Sequence, residues 1–286
     1  MLVFVAACFL TTFTLSVFSA LLCNAKGIYR DFPENSFADL VRGSLVLEQH
    51  HQKFVQPLSI ERLAHEVETK LLARGKNTSA MEKLIAIEQT VTERLGHGKV
   101  LLNPCQNWLL FLISTLKIDY LKSKNLMSAV LPEDILKNPN SVFCSQNSIV
   151  LQELLGIYGF DSRGLSLGGA DNGHLALAVN LEGNWYYIDG DLKYQKQIQN
   201  QLIPVQELLH PDNKILRMKV FNENVALAKD LERGIRTGET YLHNSGKIAE
   251  RGRNFFTITK LISSYIWIIF CLFLFVLLGT RSKNKL

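Results

Sequence analysis

The sequence predicts an α+β protein: a helix with a cysteine at its amino end, packed on a small antiparallel sheet, after an N-terminal helical region and between two terminal transmembrane helices. Three observations predict it. Apolar residues recur at spacings of three and four through 34–95, the period of a helix with one buried face. After Gly159 the period drops to two, as in half-buried strands. Residues 2–23 and 261–279 carry no charge at all.

Taken in order, the first segment is LVFVAACFLTTFTLSVFSALLC. It lacks a basic n-region and is long for a signal sequence, so it reads as an uncleaved anchor; a signal peptide cut near Cys23-Asn24-Ala25 is the alternative. Three helices follow in SFADLVRGSLVLEQHHQKF, LSIERLAHEVETKLLARG and SAMEKLIAIEQTVTERLG, with Ser59 as an N-cap and Gly75 and Gly96 near two of the ends. NWLLFLISTLKIDYL (107–121) is more apolar but short and polar-edged, a core helix of the soluble region. LPEDILKNPNS is a turn-rich connection into CSQNSIVLQELLGIYG, a helix that begins at Cys144. RGLSL, HLALAVNL and NWYYID are strands, separated by a GGADNG turn and the tight turn Glu182-Gly183. Helical character returns at 205–210 and 222–233, and TGETYLHNSGKIAERGRN reads as a polar linker. The 19 residues of LISSYIWIIFCLFLFVLLG suffice for a transmembrane helix, closed by RSKNKL. The expected organisation is an anchor or signal segment at 1–25, a helical region at 26–125, the cysteine-bearing core at 126–220, a helix and juxtamembrane linker at 221–258, a transmembrane helix at 259–280 and a basic tail at 281–286.

The formal charge of +5 overstates the basicity of the soluble part. Without Lys260, Arg281, Lys283 and Lys285 it holds 27 basic against 26 acidic residues, which is no footprint for nucleic acid. Lys26, Arg30, Arg42, Lys247, Arg251 and Arg253 flank the spans on the loop side, which read literally would put the soluble region in the cytoplasm. Long domains escape that rule, and the tail RSKNK reads as a cytoplasmic stop, so an extracytoplasmic domain is expected. Of five cysteines, Cys8, Cys23 and Cys271 belong to the hydrophobic segments, leaving Cys105 and Cys144; a disulfide between those two would consume the second thiol. No CxxC pair is present, and His50, His51 and His65 have no clear third ligand, so no metal site is expected.

Cys144 stands where backbone N–H groups are free and the helix dipole favours a thiolate. Positions 144, 148, 151 and 155 form one stripe, which points the thiol towards whatever Leu151 and Leu155 pack on, here the sheet that follows. Along 174–181, His174, Ala176, Ala178 and Asn180 share a face; Trp185, Tyr187 and Asp189 share one in the next strand. A two-residue loop at Glu182-Gly183 sets Asp189 opposite Ala176 and diagonal to His174, within side-chain reach. A thiolate nucleophile, an imidazole to carry its proton and a carboxylate to orient the ring are the parts of thiol acyl transfer. The ordinary alternatives are a buried structural cysteine, a strand histidine and a turn aspartate.

The run Cys144-Ser-Gln146, Gly159-x-x-x-Arg163, Gly173-His174 and Gly183-x-Trp185-x-x-x-Asp189 resembles the transglutaminase-like superfamily, relatives of papain, and more narrowly its bacterial members. The resemblance is close over 141–192 and extends to 105–220 as a core. Departures are Leu175 after the histidine, Ala178-Val179 later in that strand, and Gly190 where the family often has proline. The resemblance implies a papain-like core, a Cys144–His174–Asp189 triad, and Arg163 as structural support; no cofactor is implied. Gln146 is a lesser oxyanion candidate and Trp185 a substrate-wall candidate. The expected function is a membrane-anchored cysteine peptidase, amidase, deamidase or cross-linking enzyme working through a thioester on a protein or peptide. The alternative is a catalytically silent binding module serving an envelope or polysaccharide-assembly partner at the bilayer.

Overall fold

The computed structural model describes residues 2–24, 58–75, 78–96, 107–110, 130–137, 142, 144–168, 173–191, 202–221, 225–244 and 246–283. Its elements are α1 (Leu2–Asn24), α2 (Ile60–Arg74), α3 (Ala80–Arg94), α4 (Pro132–Ile135), α5 (Cys144–Ile157), β1 (Ser162–Leu167), β2 (His174–Leu181), β3 (Asn184–Ile188), β4 (Ile203–Pro204), α6 (Val205–Leu209), α7 (Lys214–Val220), α8 (Val225–Thr237), β5 (Tyr241–Leu242) and α9 (Glu250–Lys283). The chain divides into two units: Met1–Asn35, Leu101–Ala129 and Arg251–Leu286 make one, Ser36–Val100 and Val130–Glu250 the other.

In the second unit, side-chain caps fix the helix starts. The Ser59 hydroxyl accepts the Arg62 N–H to begin α2, and Ser79 begins α3 in a capping box closed by Glu82. Leu63, Val67 and Leu71 on α2 and Leu84, Ile87 and Val91 on α3 recur at helical spacing and are buried. They pack the α2–α3 hairpin together and against α5.

The sheet runs β4-β3-β2-β1-β5 with every neighbour antiparallel. Its central hairpin turns at Glu182 and Gly183, whose φ values are 53° and 89°. A two-residue hairpin loop of type I′ needs that positive sign at both positions. The resulting register sets Leu177 opposite Ile188 and Leu181 opposite Asn184, as the alternation predicts. Both faces are covered. Leu165, Leu167, Ala176, Ala178 and Tyr187 pack with Val220, Phe221, Ala228 and Leu231 on one side. On the other, Leu177, Val179 and Ile188 are buried and α5 lies along β2 and β1. The Ser148 hydroxyl donates to Leu175 O at 2.7 Å, which ties the 144–148–151–155 stripe to the sheet as its spacing predicts.

Gly190 marks where α3 and α5 come closest to the end of β3. A Cβ at this position would stand 2.8 Å from Val91 Cγ1 and 3.6 Å from Leu151 Cδ2. Val91 is fully buried and short, so it has nowhere to turn. Gly190→Ala is expected to cost about 1–3 kcal/mol of stability by overpacking, read from the midpoint of urea denaturation.

Two sequence expectations are corrected. The stretch at 237–254 is not a linker throughout: Tyr241 and Leu242 form edge strand β5 against Ser166 and Leu165, and α9 already begins at Glu250. Two residues are too few to show alternation, so β5 has no sequence signal of its own. Helix α7 at Lys214–Val220 is likewise additional to the helices read at 205–210 and 222–233.

The first unit holds α1, residues 107–110 and α9 beyond its first residue. Polar groups join its helices: the Ser16 hydroxyl and the Trp108 indole N–H both donate to Ser263 O at 2.8 Å, and Asn107 Nδ2 donates to Thr259 Oγ1 at 2.7 Å. The described residues of 107–121 thus lie with the terminal helices and not in the soluble core. Among the described residues only one helix, Glu250–Val276, is long and apolar enough to cross a membrane. The N-terminal helix α1 runs over 23 residues, Leu2–Asn24, of which Val3–Val17 is an apolar stretch. Of the two terminal spans read from the sequence, the C-terminal one is thus shown among the described residues and the N-terminal one is not. The helix expected at 36–54, with His50 and His51, lies outside the described residues, as do most of 107–121, the turn at 169–172 and the end of the basic tail.

Candidate functional site

Antiparallel pairing brings the start of β2 and the end of β3 to the same end of the sheet, and α5 begins there too. Cys144 is the first residue of α5, His174 the first of β2, and Asp189 directly follows β3. All three are buried, at 5%, 8% and 1% exposure. The thiol therefore sits among the free N–H groups of the α5 amino end.

Asp189 grips the ring of His174. Nε2 donates to Asp189 Oδ2 at 2.5 Å, since a carboxylate only accepts. The Tyr187 hydroxyl donates to the same oxygen at 2.6 Å, and the Asp191 N–H donates to Oδ1 at 2.8 Å. Glu88 Oε1, from α3, accepts the Asp189 N–H at 3.2 Å. With Nε2 engaged by Asp189, Nδ1 is the nitrogen left for Cys144. The sulfur, a His174 ring nitrogen and an Asp191 carboxylate oxygen lie within 4.8 Å of one another. Asp191 Oδ1 also accepts from Asn147 Nδ2 at 3.1 Å, one turn into α5.

The charges reinforce each other. Burial works to lower the His174 pKa, but the Asp189 carboxylate outweighs it, with Cys144 adding, and the imidazole is held well above its ordinary 6.5. Burial works to raise Asp189, but His174, the Tyr187 hydroxyl and the Asp191 N–H outweigh it and hold the carboxyl below its ordinary 3.8.

Of the sequence candidates, Cys144, His174 and Asp189 come together. Gln146 is 1% exposed within α5, not on a solvent-facing helix surface. Trp185 and Arg163 do not join them. Arg163 Cζ lies 4.5 Å over the Trp185 ring, and Trp185 is four residues from Asp189, about 13 Å along an extended strand. Arg163 pairs with Ala178, likewise four residues from His174, so this cation–π pair fastens the far end of the sheet. Tyr187, Asp191 and Glu88 are site residues that the sequence analysis did not assign. Tyr187 had a signal, its shared face with Asp189; Glu88 reaches the site from another helix and had none.

No family model matches the chain, and no curated protein matches it. A solved structure described as "Crystal structure of a TGase" is 15% identical, over 54% of this chain and 37% of that one, with a TM-score of 0.28. The match thus spans little more than a third of that protein, and at this score it carries no argument about fold or function.

Proposed function

We propose that this chain is a membrane-tethered cysteine acyl-transfer enzyme of the transglutaminase-like kind. Cys144 is the nucleophile, His174 the proton carrier and Asp189 the residue that orients the ring. One observation carries the reading: a thiol at a helix amino end lies within 4.8 Å of a ring nitrogen of an imidazole that a buried carboxylate holds.

The chemistry follows from those positions. His174 Nδ1 takes the thiol proton, and the sulfur attacks a carboxamide or peptide carbonyl. The backbone N–H of Cys144 donates to the oxygen on which charge develops. The imidazolium returns its proton to the leaving amine, and a thioester remains on Cys144. Water or an amine then releases the acyl group, with His174 acting as base; water needs no second binding site, so hydrolysis ranks ahead of cross-linking. The substrate is a protein or peptide near the bilayer. The anchor is α9, with α1 as a second, and the catalytic unit is extracytoplasmic.

The low exposure of Cys144 favours a second reading, a silent binding module for an envelope or polysaccharide-assembly partner. Mass spectrometry of the chain treated with an activated aryl ester separates the two. The enzyme reading expects one acyl group, on Cys144; no adduct there, with the ester reacting only at lysines, supports the binding module.

A further inference from the structure

We propose that Zn²⁺ binds reversibly to Cys144, His174 and Asp191 and silences the thiol. This inference uses the nucleophile of the acyl-transfer reading but does not depend on turnover.

A thiolate, an imidazole and a carboxylate are the donor types zinc takes, and three protein ligands leave the fourth position open. Bonds of about 2.0–2.3 Å put the ligand atoms of a tetrahedral zinc site about 3.3–3.8 Å apart. The sulfur, a His174 ring nitrogen and an Asp191 oxygen already lie within 4.8 Å of one another, so closure takes about an ångström of side-chain movement. Two of the three are buried and Asp191 is partly exposed.

The surroundings point the same way independently of the distances. A metal-binding histidine characteristically donates its other N–H to a carboxylate, and His174 does so to Asp189. The third ligand is oriented as well: Asp191 Oδ1 accepts from Asn147 Nδ2, and its N–H is fixed on Asp189. Asn147 Oδ1, on the residue that steadies it, is buried without a hydrogen-bond partner, a demand that a metal-bound water is able to meet. A carboxylate beside a thiolate opposes its charge, whereas a cation between the two relieves that opposition. On binding, the protons carried by the sulfur and by the ligating His174 nitrogen leave to solvent as the sulfur–zinc and nitrogen–zinc bonds form. The His174 nitrogen that would have received the thiol proton is then occupied by the metal.

The test uses the full chain in detergent and Co²⁺ as a spectroscopic probe. Expected is a near-ultraviolet sulfur-to-cobalt band that saturates at one equivalent and is displaced by Zn²⁺. The band is lost in Cys144→Ser, and Co²⁺ affinity falls at least about 10-fold in Asp191→Asn. Zinc-loaded chain resists alkylation at Cys144 until a chelator is added. No band in the wild-type chain overturns the proposal, as does a band that survives Cys144→Ser or an Asp191→Asn chain that binds as tightly as wild type. A cobalt band without an acyl adduct upholds this site and removes the enzyme reading. An adduct without a band removes the metal and leaves the enzyme.

Discussion

Replacing Asp189 with asparagine is expected to slow acylation of Cys144 by about 10³–10⁴-fold while leaving the fold intact. In the native site Asp189 Oδ2 faces Nε2, so the ring keeps a hydrogen there and Nδ1 is the nitrogen that takes the thiol proton. An amide NH₂ in place of Oδ2 meets Nε2 as a donor. The ring then moves its hydrogen to Nδ1, the nitrogen that has to accept. Asparagine also removes the negative charge that holds the His174 pKa up against burial. The remaining hydrogen bond from the Asp191 N–H to Oδ1 is one an amide oxygen can keep, which is why the loop should hold its place. The measurement is the rate of nitrophenolate release in the first turnover with an activated aryl ester. A loss under about tenfold would mean that Asp189 supports the ring without setting its tautomer.

Cys144→Ser carries the other large effect. A hydroxyl keeps the volume nearly unchanged but is far harder to ionise than a thiol. First-turnover acylation is expected to fall by at least about 10⁴-fold, to the level set by surface lysines. The same variant should unfold at nearly the wild-type urea concentration, because a buried Cys-to-Ser change that keeps its neighbours costs little volume. Acylation of the substituted hydroxyl at more than a few per cent of the wild-type rate would show that the sulfur is not what makes this position react.

Part of this site was legible in the sequence because its determinants are local. The Glu182-Gly183 loop and the alternation on either side of it fix the register, and the register alone sets Asp189 diagonal to His174. The stripe 144–148–151–155 fixes which way the thiol-bearing helix turns. What was not legible depends on chain segments meeting from afar. Glu88 reaches Asp189 from α3, a contact that no spacing encodes. Asp191 follows the strand in a turn, where alternation says nothing about direction. Arg163 and Trp185 were expected near the chemistry and instead stack on each other at the opposite end of β3, because a strand displaces its residues by about 3.3 Å each. In the terminal unit, hydrogen bonds to α9 show where Asn107 and Trp108 belong, which composition could not.

The most direct test of the account is the rate of iodoacetamide alkylation at Cys144, followed by peptide mass spectrometry across pH in chelator-treated chain, for wild type and His174→Ala. His174 is held protonated above its ordinary 6.5 by Asp189, so the cation beside the sulfur persists through neutral pH and is lost only as pH rises through that raised value. The wild-type chain should therefore alkylate at least about tenfold faster than His174→Ala near pH 6, with the gap closing above about pH 8.5, where unassisted thiols ionise. Equal rates in the two chains at the acid end would show that the imidazole does not activate the sulfur, and the acyl-transfer account would be wrong.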